Sequence, residues 1–265
     1  MQRKNEYILI LGVSSGFGKA IATTFAKEGY DIYGVHLDMG SAKQAIEDFR
    51  LELESLGIKA KFFNANAAND KKRNEIIDYI SKNEDPHTLR VMIHSMAFGA
   101  LKPFIGISED DIMSKKQLVM TMDVMANSLV YWAQDIFKAG FFAENSKIFA
   151  MTSIGSKRVT VSYGAVSAAK AALESYVRQL GVELAPYKIS TNAILAGVTD
   201  TPAARKIPGF ESMLERTKKY NPFKQNTTPE LVAKAILMLS NPEYYFINGQ
   251  TIAVDGGENI LNFAE

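Results

Sequence analysis

The sequence contains no cysteine among its 265 residues. Disulfide bonds, zinc–thiolate sites and cysteine nucleophiles are therefore excluded from its fold and chemistry. Histidine is also scarce, and the three histidines at positions 36, 87 and 94 are separated in sequence. Because metal centres in proteins are usually built from clustered histidine, cysteine and carboxylate ligands, we expect no metal site.

Net charge and long apolar runs are lacking as well. Lys and Arg total 30 against 29 Asp and Glu, which leaves a formal charge of +1 and gives no reason to expect nucleic acid as a partner. No apolar stretch approaches the roughly 18 residues that indicate a membrane span. The first apolar run is too short for a signal peptide. We therefore expect a cytoplasmic protein with no membrane partner.

The chain is rich in alternating strand and helix patterns. Residues 7–11, YILIL, are typical of a strand buried on both faces of a parallel sheet. Further strands are predicted at 31–38, within 59–70 and 89–100, at 146–153 and 188–194, and within 249–257. Helices are predicted from the glycine turn to Gly29 and over 41–56, 71–83, 111–138, 163–185 and 229–240. This alternation, without a break in composition, predicts an α/β fold: one doubly wound parallel sheet of Rossmann type, a single domain over 1–265.

A glycine-rich turn follows the first strand. The sequence GVSSGFG places glycines at 12, 16 and 18, and an amphipathic helix comes next. Backbone N–H groups and the helix dipole converge at such a strand, turn and helix, which makes an anion site for a dinucleotide. The alternative is a tight turn that packs closely on its helix and binds nothing.

Asp38 stands at the end of the second predicted strand. An acidic residue there, about 20 positions beyond the last glycine, hydrogen-bonds a ribose 2′-hydroxyl and repels a 2′-phosphate. In that role Asp38 favours NADH over NADPH. An equally open interpretation makes it a loop residue that caps the next helix.

Other polar or small residues also follow predicted strands. Asn66 and the turn Ser95–Ala97 fall at such ends, as do Ser153 and the segment Gly197–Thr201. In doubly wound sheets the ligand lies beyond the carboxyl ends of the strands. We therefore predict one site built from all of these segments.

The stretch SIGSKRVTVSYGAVSAAK, residues 153–170, carries the most suggestive pair. Tyr163 begins a helix-forming run and Lys170 follows seven residues later. Seven helical residues turn through about 700°, so both side chains share one face, roughly 10 Å apart along the axis. A nearby cation lowers a tyrosine pKa and readies it as a proton donor. By itself the pair also fits a boundary aromatic and a solvated helix lysine, and the neighbouring motifs favour catalysis.

Together these motifs resemble the short-chain dehydrogenase/reductase family over essentially the whole chain. The glycine turn resembles that of the family, Asn66–Ala67 resembles its adenine-contacting turn, and GQTIAVDGG resembles its C-terminal strand. Most members carry Asn-Asn-Ala-Gly after the fourth strand and Tyr-x-x-x-Lys on the central helix. Here HSMAF occupies 94–98, and the position four before Lys170 is Val166, which cannot donate a proton.

Both departures match one branch. His-Ser-apolar-small-Phe with Tyr-x6-Lys resembles the enoyl-acyl-carrier-protein reductases of bacterial fatty-acid synthesis, as does DVMANSLV at 123–130. The resemblance implies NADH or NADPH, an enoyl substrate linked to acyl-carrier protein or coenzyme A, and a homotetramer. It implies that Tyr163 hydrogen-bonds or protonates the enolate oxygen and that Lys170 holds the nicotinamide ribose. The positions expected at the cofactor are Gly12, Ser14, Ser15, Gly16, Phe17, Gly18, Asp38, Asn66, Ala67, Ser95, Met96, Ala97, Lys170, Gly197, Thr199 and Thr201.

The longer Tyr–Lys spacing has a chemical rationale, which we state as a hypothesis. A ketone receives hydride and proton on bonded neighbours, so its acid sits near the nicotinamide. A trans-2-enoyl thioester receives hydride at Cβ, and charge develops on the carbonyl oxygen further along. Tyr163 in place of Val166 would move the phenol in that direction, and the fixed charge of Lys170 would support it.

Two positions depart from the branch. Typical enoyl reductases have a second tyrosine ten residues before the first, where this chain has Ser153. Because Ser153 also falls where the wider family has a substrate-orienting serine, a carbonyl or 3-ketoacyl reductase that uses Ser153 with Tyr163 is a rival. A non-catalytic dinucleotide-binding sensor or scaffold is another, which the Tyr163–Lys170 pair opposes. Val198 replaces a usual proline at the start of segment 198–228, which we expect to form a mobile loop over the substrate.

Overall fold

The computed structural model describes residues 4–40 and 42–261. Its strands are β1 Tyr7–Leu11, β2 Asp31–His36, β3 Ala60–Asn64, β4 Leu89–His94, β5 Phe142–Ser153, β6 Ser190–Ala196 and β7 Thr251–Val254. They form one 7-stranded sheet in the order β3-β2-β1-β4-β5-β6-β7, with every neighbouring pair parallel. The predicted doubly wound, Rossmann-type sheet is therefore confirmed. Residues 1–3 and 262–265 of the predicted domain lie outside the described residues.

The helices follow the strands in alternation. Within the described residues they are α1 Gly16–Lys27, α2 Ala42–Glu54, α3 Asp70–Asn83, α4 Lys115–Met122, α5 Ser128–Lys138, α6 Gly164–Leu184, α7 Phe210–Tyr220 and α8 Pro229–Leu239. The helix predicted over 41–56 corresponds to α2, and Ser41 lies outside the described residues. None of the helices in the described ranges is long and apolar enough to cross a membrane.

The sheet carries an apolar core on each face. Helices α3, α5 and α6 cover one face around the fully buried Trp132. Helices α1, α2 and α8 cover the other face, with Phe25 at its centre. All five residues of β1 are buried, because successive side chains enter opposite cores. The unbroken apolar run of β1 is thus the sequence signature of a central parallel strand.

The region predicted as one helix over 111–138 is interrupted. A 3₁₀ turn ends at Asp111, a capping box formed by Ser114 and Gln117 begins α4, and a π-helical turn separates α4 from α5. At the interruption the Ser128 hydroxyl donates to the carbonyl of Val124 at 2.8 Å. Such a turn at one point of a long helix depends on tertiary contacts, and the apolar spacing of the sequence does not reveal it.

The carboxyl ends of the strands form one edge of the sheet. The strand order reverses between β1 and β4, so the loops that leave these two strands diverge and open a crevice there. Segment 198–228 follows β6 at the same edge and contains a 3₁₀ turn, Ala204–Lys206, as well as α7. The sheet topology thus brings the predicted site segments to one side of the molecule.

Candidate active site

The glycine turn after β1 is packed so closely that its glycines are required. A Cβ on Gly18 would lie 1.9 Å from the Gly12 carbonyl oxygen, and a Cβ on Gly12 would lie 2.4 Å from the Ser95 carbonyl oxygen. Gly12 and Gly16 also have positive φ angles of 93° and 51°. Ser15, the N-cap of α1, makes no side-chain capping bond. The first-turn N–H groups of α1, which have no partner within a helix, are thus presented in a cradle that fits a pyrophosphate.

A cavity of about 260 Å³ opens beside this turn at the carboxyl ends of the strands. Ten of the residues predicted from the sequence line it: Phe17, Ser95, Met96, Ala97, Ser153, Tyr163, Lys170, Gly197, Thr199 and Thr201. They come from the segments after β1, β4, β5 and β6, as the strand-end pattern predicts. The structure therefore brings them together, and their individual roles stay predictions.

Lys170 is buried at the floor of the cavity, with 6% of its surface exposed. Its ammonium donates to the carbonyl of Met151 at 2.7 Å and to the carbonyl of Met96 at 3.2 Å. Burial lowers the pKa of Lys170 to about 8, and Glu174 opposes that shift. The alternative of a solvated helix lysine is wrong. An ammonium has three hydrogens, so one donor is left for a ligand such as a ribose hydroxyl.

Tyr163 occupies the N-cap of α6, one residue before the helix begins. The preceding residue, Ser162, has a positive φ of 60°, a left-handed conformation that is uncommon outside glycine and asparagine. Burial raises the pKa of Tyr163, and the nearby Ser153 hydroxyl opposes this shift. The phenol is thus protonated at neutral pH and able to donate. Val166, four residues before Lys170, is buried in the same cavity wall.

Ser153 lies next to Tyr163 at the end of β5. A Cβ on Gly155 would meet the Tyr163 ring at 2.6 Å and the Ser153 hydroxyl oxygen at 3.2 Å, so the glycine keeps the two side chains close. Within the described part of the chain the Ser153 Oγ is buried and has no hydrogen-bond partner in good geometry. An unsatisfied buried hydroxyl is uncommon in folded proteins, and one beside a cavity is available to a ligand.

The outer part of the cavity is apolar. Its walls include Phe98, Leu101, Met125, Ile207, Phe210 and Met213. The sequence reasoning placed a lid over 198–228 but did not identify Phe210 and Met213 as its inward-facing residues. Their spacing of three on α7 was a signal that could have found them, since residues at i and i+3 share one helix face.

His94 acts as a buried anchor at the end of β4. It is fully buried, and its Nε2 lies 2.8 Å from the Ser128 Oγ. Because the Ser128 hydroxyl hydrogen is donated to Val124, Nε2 must carry the hydrogen in this pair. Burial, followed by the charge of Lys170, lowers the pKa of His94 to about 3. A neutral imidazole fits the role of holding the π-helical turn against the sheet.

The residues predicted at the adenine end lie outside this cavity. Asn66 lines a separate groove, and the carbonyl of the buried Ala67 accepts the Trp132 indole N–H at 2.8 Å. Asp38 lies two residues past β2, where its carboxylate accepts from His36 Nδ1 at 3.0 Å. Ser14 stands half-buried in the glycine turn. These positions follow β1, β2 and β3, next to the crevice, and their contact with a cofactor stays a prediction.

The residues present fit a dinucleotide cofactor. The glycine cradle leaves no room for side chains where a pyrophosphate would approach, and Lys170 keeps one donor free in the adjoining cavity. A parallel sheet of this order with that cradle after β1 and a tyrosine–lysine pair on the helix after β5 defines a short-chain dehydrogenase/reductase. Comparison of the sequence with protein families narrows this class. The chain belongs to the enoyl-(acyl carrier protein) reductase family of oxidoreductases, whose profile matches residues 12–259.

Individual relatives agree with this assignment. The chain is 32% identical over 174 residues to the enoyl-acyl-carrier-protein reductase (NADH) of Aquifex aeolicus, a match that covers 66% of this chain and 63% of that protein. It is 27% identical over 259 residues to the enoyl-acyl-carrier-protein reductase (NADPH) of Staphylococcus aureus, covering 96% of both. The solved structure of the Aquifex aeolicus enzyme superposes with a TM-score of 0.83 at 26% identity, over 98% of both chains.

Proposed function

We propose that this protein reduces the trans-2 double bond of an enoyl thioester with NADH or NADPH, as an enoyl-acyl-carrier-protein reductase of fatty-acid synthesis. The observation that carries the proposal is the cavity wall formed by Tyr163, Val166 and Lys170. With valine at the position nearer the lysine, the available phenol is the one seven residues away. That displacement suits a substrate whose negative charge develops beyond the carbon that is reduced.

The chain's own residues would supply the following chemistry. The bound nicotinamide would supply hydride. Tyr163, whose pKa is raised by burial, would donate a hydrogen bond or its proton to the thioester oxygen as that oxygen becomes an enolate. Lys170 would hold the ribose hydroxyls and place a positive charge below the site, already oriented by its bonds to Met96 and Met151. The apolar outer walls would receive the acyl chain and exclude water.

A second candidate, reduction of a ketone or 3-ketoacyl thioester, rests on Ser153. Its buried hydroxyl lacks a partner within the described residues and lies beside Tyr163. A serine and a tyrosine that together bind one carbonyl oxygen are suited to a ketone substrate. Against this stands Val166, which leaves no acid at the shorter spacing from Lys170.

The remaining parts of the proposal follow from family membership. The relatives named above act on enoyl groups carried by acyl-carrier protein, so we propose a thioester of that carrier or of coenzyme A as substrate. Their names include both NADH and NADPH, and Asp38 favours NADH here. We also propose a cytoplasmic homotetramer and a lid over 198–228. Gel filtration that gives a monomer at working concentration would contradict the tetramer.

The proposal is tested by following nicotinamide absorbance at 340 nm with crotonyl and longer enoyl thioesters, using NADH and NADPH in parallel. We expect turnover that Tyr163→Phe reduces by about 10²–10⁴-fold, the usual contribution of a positioned general acid. Lys170→Ala should reduce turnover and weaken cofactor binding. Tyr187→Phe is the matched control, because Tyr187 is exposed at the far end of α6 and should have no effect.

Two outcomes would contradict the proposal. Reduction of acetoacetyl thioester without turnover of enoyl thioesters would mean that Ser153 and Tyr163 serve a ketone. Cofactor binding without turnover of either substrate would favour a dinucleotide sensor or scaffold.

A further inference from the structure

A buried carboxylate connects the start of the predicted lid to the C-terminal turn, defined here as residues 255–260. The backbone N–H of Val198 points to the Glu258 carboxylate, 3.0 Å from Oε2 and 3.4 Å from Oε1. Val198 lines the active-site cavity, whereas Glu258 lies behind that wall. The contact joins residues 60 positions apart and fixes the peptide that leaves β6.

Glu258 is enclosed closely, with 8% of its surface exposed. A Cβ on Gly197 would lie 2.6 Å from Glu258 Oε2 and 2.4 Å from Thr227 Oγ1, so both ends of the predicted lid meet at this carboxylate. The charged groups that face it are Asp255 and Arg158. Burial raises the pKa of Glu258, and the Val198 N–H opposes that shift. A buried carboxylate depends strongly on such a donor, because an unpaired one is costly.

The same turn also holds the far end of the lid. The Asn221 side chain donates to the Asp255 carbonyl at 2.8 Å and accepts the N–H of Phe223 at 2.9 Å. The Asp255 carboxylate in turn accepts the N–H groups of Gly257 and Asn259, each at 2.9 Å. The C-terminal turn is therefore a rigid base from which the lid departs and to which it returns.

The Val198–Glu258 bond needs a residue other than proline at 198, because proline has no N–H. We propose that Glu258 is a positioning residue: through the Val198 N–H it fixes the cavity wall Gly197–Thr201 and thereby sets the affinity for substrate. The effect on affinity rests on the proposed function, whereas the contact itself does not. Glu258 touches neither Tyr163 nor Lys170, so the proposal concerns binding and leaves the proton donor unchanged.

The contact is tested first without substrate, by hydrogen exchange of peptides that cover 197–206. We expect Glu258→Ala to exchange there about tenfold faster than the parent, since it loses a charge-assisted bond. Glu258→Gln should stay close to the parent, because its amide oxygen still accepts the Val198 N–H. Glu243→Ala, at an exposed carboxylate, is the matched control and should change nothing. Unaltered exchange in Glu258→Ala would overturn the proposal.

The second test is kinetic and uses the enoyl thioester that the parent turns over. Glu258→Ala should raise KM about tenfold with kcat within about twofold, and Glu258→Gln should largely restore KM. In a Val198→Pro background, which has no N–H at 198, Glu258→Ala should have no further effect on KM. An equal rise in KM in both backgrounds, or a fall in kcat alone, would overturn the proposal. A parent without turnover would refute the proposed function, and the exchange result would still decide the contact.

Discussion

Two buried lysines allow a sharp test of how burial controls charge in this protein. Lys170 lies at the cavity, and Lys147 is fully buried in β5, paired in register with Val91 and Ser190. The Lys147 ammonium has no hydrogen-bond partner within the described residues. Replacement of each lysine by methionine keeps the length of the side chain and removes the ionisable group.

The size of the effect follows from the pKa values. Burial lowers the pKa of Lys170 from 10.5 to about 8, and burial followed by Arg90 lowers the pKa of Lys147 to about 8 as well. At about 1.4 kcal/mol per tenfold change in proton affinity, each difference corresponds to about 3 kcal/mol. Because the folded state binds the proton more weakly than the unfolded state, this cost is fully present below pH 8. It is relieved as the pH rises from 8 to 10.5.

We therefore expect the free energy of unfolding of each methionine variant, minus that of the parent, to fall by about 3 kcal/mol between pH 7 and pH 10.5. Hydrogen bonds lost with the lysine contribute equally at every pH and do not alter this slope. Urea unfolding followed by the fluorescence of Trp132, the single tryptophan and fully buried, measures the difference. Turnover separates the two sites: Lys170→Met should abolish it, and Lys147→Met should leave it unchanged.

A pH-independent difference for both variants would refute the reasoning, because it would mean that the buried ammonium groups are not destabilised in the folded state. Parent activity should also decline above pH 8, as the Lys170 ammonium is lost, and not near pH 10.5. Activity that is constant up to pH 10 would contradict a role for the charge of Lys170.

Two further predictions concern the cofactor. Gly18→Ala should lower dinucleotide affinity by at least about tenfold in a fluorescence titration, because the new Cβ would lie 1.9 Å from the Gly12 carbonyl oxygen and force the cradle apart. Gly57→Ala, where no atom lies within 4 Å, is the control and should cost only about 1 kcal/mol for its positive φ. Asp38→Asn should lower the ratio of the KM for NADPH to the KM for NADH by about tenfold, since it removes a charge that repels a 2′-phosphate. A ratio that does not change would support the interpretation of Asp38 as a loop residue.

The sequence by itself determined the architecture of the protein. Strand and helix periods are local properties, and the apolar run of β1 and the glycine turn identify a parallel sheet with an anion cradle. The Tyr163 to Lys170 spacing is local as well, and it indicated the branch of the family to which the chain belongs. The interruption between α4 and α5 was not readable, because apolar spacing continues through a single π-helical turn.

Only the tertiary structure decided the surroundings of those residues. Lys170 reads equally well as a solvated helix lysine until β4 and β5 bring the carbonyls of Met96 and Met151 to its ammonium. The Glu258 carboxylate meets Val198 because β7 lies beside β6, and no local pattern links two positions so far apart. The physical reason is that periodicity specifies which face of a segment is buried. The partner on that face is chosen by how the whole chain closes around its sheet.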